Sequence, residues 1–169
     1  MGHREHRRAG PRAVPCAVVT VSDTREAATD TSGALIRRAL ARAGHTLVDY
    51  RILKDDPEAI AAHLRGLPGS GARVVLLSGG TGIAPRDTTY EAVAGLLEKR
   101  LDGFGEIFRM LSYRQIGAPA MLSRALAGTF RGMIIFVMPG SEDAVRLAMR
   151  RLILPELGHV AGLLAMAGG

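Results

Sequence analysis

The chain alternates two kinds of apolar pattern. Short runs rich in β-branched residues predict buried strands, whereas apolar residues that recur every three or four positions predict helices. The predicted strands cover residues 16–22, 46–53 and 74–78. The predicted helices lie between residues 30–33 and Gly44, between Asp55-Asp56-Pro57 and Pro68-Gly69, and over residues 89–99. Because strands and helices alternate, we expect a three-layer α/β/α fold with a mainly parallel sheet flanked by helices.

The C-terminal half continues with less regular patterns. A short helix is predicted around Phe108, after the glycine-containing residues 102–105. Two strands over residues 120–130 and 132–138 are expected to meet at a tight Arg131-Gly132 turn. Pro139-Gly140-Ser141 then opens the last long helix, which Pro155 should kink or divide because proline cannot donate a backbone hydrogen bond.

Composition favours one domain with a basic tail. Nearly half of the 169 residues are hydrophobic, which is enough for one sizeable core, so we assign residues 1–13 to a mobile tail and 14–169 to a single domain. Four arginines and one glutamate among residues 1–12 supply +3 of the net charge of +6. The remaining domain is only mildly basic and poor in aromatic residues, which argues against nucleic-acid binding.

Several other classes of protein are disfavoured. No apolar run reaches the 18 to 20 residues that a membrane-spanning helix requires. A single cysteine, Cys16, excludes an internal disulfide and fits the reducing cytoplasm. Cys16 lies inside a predicted strand and no histidine pair has metal-ligand spacing, which argues against thiol catalysis and zinc binding.

Polar or glycine-rich segments follow four predicted strands, where ligands collect in parallel α/β sheets. These segments are Ser22-Asp23-Thr24, Lys54-Asp55-Asp56, residues 78–87 and Pro139-Gly140-Ser141. Within the third, the run Gly79, Gly80, Thr81, Gly82 allows backbone amides to approach an anion, although it matches neither a dinucleotide-binding fingerprint nor a P-loop. By its spacing alone this loop is either a structural turn or an anion cradle.

The carboxylates near these segments also have two interpretations. Asp87 precedes a predicted helix and could cap it, and Asp55 and Asp56 stand in the same position before another. Carboxylates at neighbouring strand ends could instead share Mg²⁺, which prefers oxygen ligands. Pro139-Gly140-Ser141 is either a phosphate site at a helix start or an ordinary turn with a serine cap.

Four longer motifs in combination resemble the molybdenum cofactor biosynthesis family of MoaB and MogA, which is related to the G domain of gephyrin. They are LLSGGTGIAPRDTTYEA, DGFGEIFRMLS, MLSRALAG and FVMPGSEDAV. The resemblance covers about residues 18–159, and the FGEIFRMLSYRQIG and Gly117-Ala118-Pro119 segments look closer to MoaB.

The resemblance implies a function and roles for individual residues. It implies binding of molybdopterin and its adenylylation with ATP and Mg²⁺, releasing pyrophosphate. Asp87 and Asp56 look like the family's two essential carboxylates and possible Mg²⁺ ligands, with Asp55 as a rival for the second. The implied binding residues are Ser112 and Ser123 for molybdopterin, and Gly79, Gly80, Thr81, Gly82, Pro139, Gly140 and Ser141 for nucleotide and phosphate. Arg86 or Arg124 would neutralise the reacting anions.

Two other functions remain open at this stage. The first is a carrier that holds molybdopterin without adenylylating it, and the second is an arginine-rich nucleic-acid binder that depends on the N-terminal tail alone. The resemblance further implies a cytoplasmic homo-oligomer, a trimer or hexamer, that works with other proteins of molybdenum cofactor synthesis.

Overall fold

A six-stranded sheet organises residues 10–166, the part of the chain that the computed structural model describes. The strands are β1 (Pro15–Val21), β2 (Thr46–Leu53), β3 (Val74–Ser78), β4 (Lys99–Arg100), β5 (Leu126–Phe130) and β6 (Met133–Met138). They are ordered β2-β1-β3-β6-β5-β4. Strands β2, β1, β3 and β6 run parallel, and β5 reverses direction against β6 and β4. The predicted mainly parallel sheet is therefore confirmed.

Helices cover both faces of this sheet. The helices are α1 (Thr31–Arg42), α2 (Pro57–Gly66), α3 (Thr89–Ala94), α4 (Asp102–Ile116), α5 (Glu142–Ala148) and α6 (Leu154–Met166). Alternate residues of each strand point to opposite faces. One face carries Val18 and Leu76 and packs against α1, α4, α5 and α6, whereas the other carries Val19 and Leu77 and packs against α2 and α3. The predicted three-layer α/β/α architecture follows from these two cores.

Three local predictions differ from the structure. The third helix ends at Ala94 rather than residue 99, and Lys99 and Arg100 form the edge strand β4. Residues 118–122 form a 3₁₀ turn, so β5 begins only at Leu126. The helix predicted as short is α4 and spans fifteen residues. It buries Phe108 on one face and exposes apolar side chains on the other.

The turn and the helix break predicted in the C-terminal half are both confirmed. Arg131 and Gly132 have φ angles of 47° and 75° and join β5 to β6, as a two-residue hairpin turn requires. The last helix divides at a π-helical turn, Met149–Ile153, where the N–H of Leu154 reaches the carbonyl of Met149. Pro155 follows this turn and has no N–H to continue the regular ladder.

The first described residues of the chain pack against the last helix. Gly10 and Pro11, which the sequence assigned to the tail, lie against Gly158 and Gly162 of α6, and residues 1–9 fall outside the described part.

None of the helices in residues 10–166 combines the length and the apolar character that a membrane crossing requires.

Asp30 fixes the start of α1 to the sheet. Its Oδ1 accepts the N–H of Gly33 at 2.9 Å and so caps the helix, at the start predicted over residues 30–33. Its Oδ2 accepts the hydroxyls of Thr20 and Tyr50, each at 2.7 Å. Burial, together with the neighbouring Asp30, raises the pKa of Tyr50 to about 12, so Tyr50 remains a donor at neutral pH. The 2 % exposed Asp30 therefore ties α1 to β1 and β2.

Replacing Asp30 should destabilise the fold more than removing any one of its partners. Asp30→Ala removes a helix cap and leaves two hydroxyls unpaired, so we expect a loss of about 3 kcal/mol in the free energy of unfolding. Tyr50→Phe removes one hydrogen bond and should cost about 1 kcal/mol. Thermal unfolding at a fixed protein concentration compares the two, and equal midpoints would contradict the anchoring role of Asp30.

Candidate functional site

A cavity of about 460 Å³ opens at the carboxyl ends of β1, β3 and β6. It lies between β1 and β3, where the chain first moves outward to β2 and then returns to the other side of β1, and ligands bind at such points in open α/β sheets. The residues predicted from sequence that line it are Gly79, Gly80, Thr81, Gly82, Ser123, Pro139, Gly140 and Ser141. Ser22 also lines it, so three of the four predicted strand-end segments meet in one cavity.

The glycine loop, residues 79–82, packs its backbone directly against two neighbouring segments. Gly79 and Gly80 have φ angles of 100° and 64°, a conformation that favours glycine. A Cβ atom at Gly79 would collide with the carbonyl oxygen of Val21, and one at Gly140 would lie 3.1 Å from the Cα of Gly79. These glycines are thus required to bring the ends of β1, β3 and β6 together.

Three of the four carbonyl groups of the glycine loop are held by other parts of the protein. The N–H of Thr89, at the start of α3, donates to the carbonyl of Gly80 at 3.1 Å. The guanidinium of Arg124 donates from Nε to the carbonyl of Thr81 at 2.8 Å and from Nη2 to that of Gly82 at 2.7 Å. Three successive carbonyls therefore point toward α3 and Arg124.

Fixing these carbonyls also fixes the amides. In a trans peptide the N–H points opposite to the carbonyl of the same unit, so the N–H groups of Thr81, Gly82 and Ile83 point away from α3 and Arg124. Within residues 10–166, these three amides and that of Gly80 have no protein acceptor. A run of unpartnered amides is what an anion cradle needs, so the geometry favours that interpretation over a purely structural turn.

Arg124 is itself held in place from two sides. Its Nη1 and Nη2 bind the carboxylate of Glu91, and its guanidinium lies 4.7 Å from the centre of the Tyr90 ring. The hydrogen bond from Arg124 lowers the pKa of Glu91, which keeps this carboxylate charged. The sequence suggested Arg124 as a direct partner of reacting anions, whereas the structure uses its donors to brace the glycine loop.

Asp55 joins the end of β2 to the glycine loop. Its Oδ1 accepts the N–H of Thr88 at 3.1 Å and the hydroxyl of Thr88 at 2.7 Å. Its Oδ2 lies so close to Gly80 that a Cβ atom there would collide with it. Asp55 therefore contacts both the glycine loop and the segment that leads into α3.

Asp56, which the resemblance favoured as the second carboxylate, is oriented differently. It is exposed, and its Oδ1 accepts the N–H of Ala59 at 2.8 Å as the N-cap of α2. Neither Asp55 nor Asp56 lines the cavity itself, so contact with the glycine loop is what distinguishes the two. The contacts with Thr88 and Gly80 make Asp55 the member of this pair that reaches the glycine loop.

Asp87 lies beside the loop but does not cap α3. The N-cap of α3 is Thr88, and the Oδ2 of Asp87 instead accepts the N–H of Ala84 at 3.1 Å. A Cβ atom at Gly82 would lie 2.5 Å from Asp87 Oδ2. Asp87 lines a depression that shares Gly82 with the main cavity. The capping interpretation of Asp87 is therefore wrong, and its carboxylate lies against the loop.

Asp55 and Asp87 are the two carboxylates that lie against the glycine loop, beside Gly80 and Gly82. In the described part of the chain, Asp55 Oδ2 and Asp87 Oδ1 have no hydrogen-bond partner and remain able to bind a cation. The described residues contain no cluster of three or more metal-binding side chains. Mg²⁺ typically takes one or two carboxylates together with waters and substrate phosphates, so two carboxylates fit.

Two further predicted residues lie outside the cavity lining. Arg86 is largely exposed and forms an ion pair with Asp23, which connects the outer end of the loop to the segment after β1. Ser112 is 5 % exposed within α4 and does not line the cavity, in contrast to Ser123. The structure thus brings Ser123, but not Ser112 or Arg86, to the cavity wall.

The start of α1 contributes cavity residues that sequence reasoning missed. Ser32 and Arg25 line the cavity, and the Ser32 hydroxyl donates to the carbonyl of Gly140 at 2.7 Å. Ser32 falls within the predicted helix start at residues 30–33 and was given no part in a site, although α1 follows β1 and must start at the same edge of the sheet. On the other wall, Ser141 accepts the N–H of Ala144 at 3.3 Å and caps α5.

The single cysteine lies away from this site. Cys16 is fully buried in β1, and burial raises the pKa of its thiol to about 12. The thiol therefore stays protonated at neutral pH, and a protonated thiol is a poor nucleophile.

Comparisons with known proteins agree with the predicted resemblance. The sequence profile of the family described as "probable molybdopterin binding domain" matches residues 17–159. The chain is 54 % identical to molybdenum cofactor biosynthesis protein B of Bacillus anthracis over 162 residues, which cover 95 % of this chain and 96 % of the relative.

Solved structures give the same result. A crystal structure of a molybdenum cofactor biosynthesis protein B superposes with a TM-score of 0.89 at 53 % identity, covering 92 % of this chain and 98 % of that one. The tungsten cofactor synthesizing protein MoaB of Pyrococcus furiosus superposes with a TM-score of 0.81 at 37 % identity, covering 89 % and 96 %. Because the family profile covers residues 17–159 and relatives above 50 % identity match nearly the whole length, this chain belongs to the MoaB/MogA family of molybdenum cofactor biosynthesis proteins.

Proposed function

We propose that this chain transfers the adenylyl group of ATP to molybdopterin and releases pyrophosphate. The observation that carries the proposal is the glycine loop, whose unpartnered amides lie next to the carboxylates of Asp55 and Asp87. Amides can hold phosphoryl oxygens, and carboxylates can hold the magnesium ion that accompanies ATP. The family membership of the chain supports molybdopterin as the second substrate.

The reaction needs alignment more than it needs acid–base groups. An oxygen of the molybdopterin phosphate attacks the α-phosphorus of ATP, the bond from this phosphorus to the β-phosphate oxygen breaks, and pyrophosphate leaves with the electron pair. The attacking phosphate is already deprotonated at neutral pH, so no general base is required. The protein must hold two anions in line and offset their repulsion, and fixed amide dipoles do so without rearranging.

The magnesium ion would be held by Asp55 and Asp87. When bound, it would offset the negative charge of the phosphates. The remaining work falls to the residues of the chain: the loop amides bind phosphoryl oxygens, Ser123 and Ser141 offer hydroxyls at the cavity wall, and Arg124 keeps the loop in its binding conformation.

A carrier that binds molybdopterin without turnover is the second candidate. It would use the same cavity and need only the amides and hydroxyls, without the carboxylate pair. Asp55 and Asp87 beside the loop favour the enzyme, because two carboxylates near a phosphate-binding loop would repel the ligand unless a cation lay between them.

The two carboxylates can be tested against a neighbouring third. Asp55→Asn and Asp87→Asn should each lower the rate of pyrophosphate release from molybdopterin and Mg-ATP by about a hundredfold or more, since each removes a negative charge that would hold the magnesium ion against the phosphates. Asp56→Asn is the matched control. Asparagine caps helices about as well as aspartate, so turnover and stability should change little.

The outcomes separate the alternatives. Loss of turnover in Asp56→Asn with activity retained in Asp55→Asn would contradict the assignment of Asp55. Unchanged turnover in both Asp55→Asn and Asp87→Asn would contradict the proposed site. Tight molybdopterin binding by the wild-type protein with no pyrophosphate release would favour the carrier.

We also propose that the protein forms a trimer or hexamer through α4. The outward face of α4 carries an exposed apolar stripe, which we define as Ile107, Met110, Tyr113 and Ile116, each at least 45 % exposed. Exposed Met121 and Leu122 continue it, and Leu122 also lines the cavity. Contiguous exposed apolar surface of this kind typically marks a protein interface.

A charge in the middle of the stripe should weaken assembly. Tyr113→Glu would bury a carboxylate in an apolar interface, so we expect the mass measured by light scattering to fall from three or six chains toward one. Gln115→Glu, at an exposed position outside the stripe, serves as the control and should keep the wild-type mass. A monomeric wild-type protein, or a Tyr113→Glu variant that assembles normally, would contradict the proposed interface.

A further inference from the structure

We propose that Ser78 is a ligand-binding residue whose hydroxyl donates a hydrogen bond to a phosphoryl oxygen in the cavity. The inference rests on the proposed function, since it assumes that the cavity takes a phosphorylated ligand. It adds a contact deeper than the glycine loop, at the last residue of β3.

The first observation is an unsatisfied hydroxyl. Ser78 is fully buried, and its Oγ has no hydrogen-bond partner in the part of the chain that the structure describes. Folded proteins pair nearly all of their buried polar side-chain atoms, so an unpaired one needs an explanation. A small apolar residue such as alanine would avoid this cost if Ser78 served only the packing of β3.

The second observation is the position of Ser78. It is one of the residues that line the cavity of about 460 Å³, directly before the glycine loop. Its partners in register are Thr20 of β1 and Met138 of β6, so it lies at the centre of the sheet's carboxyl edge. A ligand that reaches the cavity floor between these strands meets Ser78.

The neighbouring side chains leave the Ser78 hydroxyl to a ligand. The Thr20 hydroxyl donates to Asp30, and no hydrogen bond joins it to Ser78. Met138 carries only a thioether, which is a weak acceptor. Among the described residues, Ser78 is therefore flanked by a hydroxyl that already donates elsewhere and by an apolar side chain.

Donors predominate around Ser78, which points to an acceptor-rich ligand group. The amides of Gly80, Thr81 and Gly82 lie in the adjoining loop without protein acceptors among the described residues, and Arg25 is one of the residues that line the same cavity. A phosphate offers several charged acceptor oxygens, and hydrogen bonds to charged groups are the stronger kind. The phosphate could belong to ATP or to molybdopterin, and binding experiments with each distinguish the two.

The test compares Ser78→Ala with the wild-type protein in two calorimetric titrations, one with Mg-ATP and one with molybdopterin. Loss of a hydrogen bond to a charged oxygen should weaken binding of one ligand by roughly tenfold or more, which identifies the phosphate that Ser78 contacts. The melting temperature should stay the same or rise, because the variant removes a buried hydroxyl that has no partner in the free protein.

Ser70→Ala is the matched control. The Ser70 hydroxyl donates to the carbonyl of Leu67 at 2.7 Å, and Ser70 is not part of the cavity lining, so this variant should lower the melting temperature and leave both affinities unchanged. Wild-type affinity of Ser78→Ala for both ligands, or a lowered melting temperature with unchanged affinity, would overturn the inference. A wild-type protein that binds neither ligand would contradict the proposed function itself.

Discussion

The bracing of the glycine loop by Arg124 is the interaction on which the site depends. One guanidinium holds the carbonyls of Thr81 and Gly82, while α3 holds that of Gly80. Without these contacts, the glycine-rich segment would have many accessible conformations, and an anion would have to order it at an entropic cost. With them, the amides are oriented before the ligand arrives, and such preorganisation is what makes fixed dipoles effective in catalysis.

The sheet places the other parts of the site around this loop. β1, β3 and β6 end side by side, and the absence of side chains at Gly79 and Gly140 lets their connecting segments touch. Asp55 reaches the loop from β2, the next strand outward, and Asp30 ties the start of α1 to β1 and β2. The strand order therefore determines where each group lies, and the loops that follow the strands supply the chemical groups.

The sequence predicts the layered fold and most of the site because both depend on local patterns. Strand runs such as residues 74–78 and the Arg131-Gly132 turn are visible in the chain itself. β4 was missed because a two-residue edge strand of Lys99 and Arg100 has no apolar pattern to detect. The choice between Asp55 and Asp56 depended on which of two adjacent carboxylates contacts the glycine loop, and only the tertiary contacts of Asp55 with Thr88 and Gly80 decide this.

The role of Arg124 was also beyond sequence reasoning. Its contacts with Thr81, Gly82 and Glu91 span more than thirty residues of sequence, and nothing near Ser123 in the chain indicates them. A positive charge near a phosphate site suggests direct binding, and that is the role the sequence predicted. The distinction matters because an arginine that braces the loop acts on the conformation of the loop, whereas an arginine that binds directly contacts only one substrate.

The central claim is that the amides of the glycine loop bind phosphate. Hydrogen–deuterium exchange followed by mass spectrometry measures this directly, because amides without acceptors exchange rapidly unless a ligand covers them. Saturating Mg-ATP should slow exchange in peptides that contain residues 80–83, while the exposed turn at residues 69–71 keeps its rate. Nucleotide that binds by calorimetry yet leaves exchange at residues 80–83 unchanged would contradict the account.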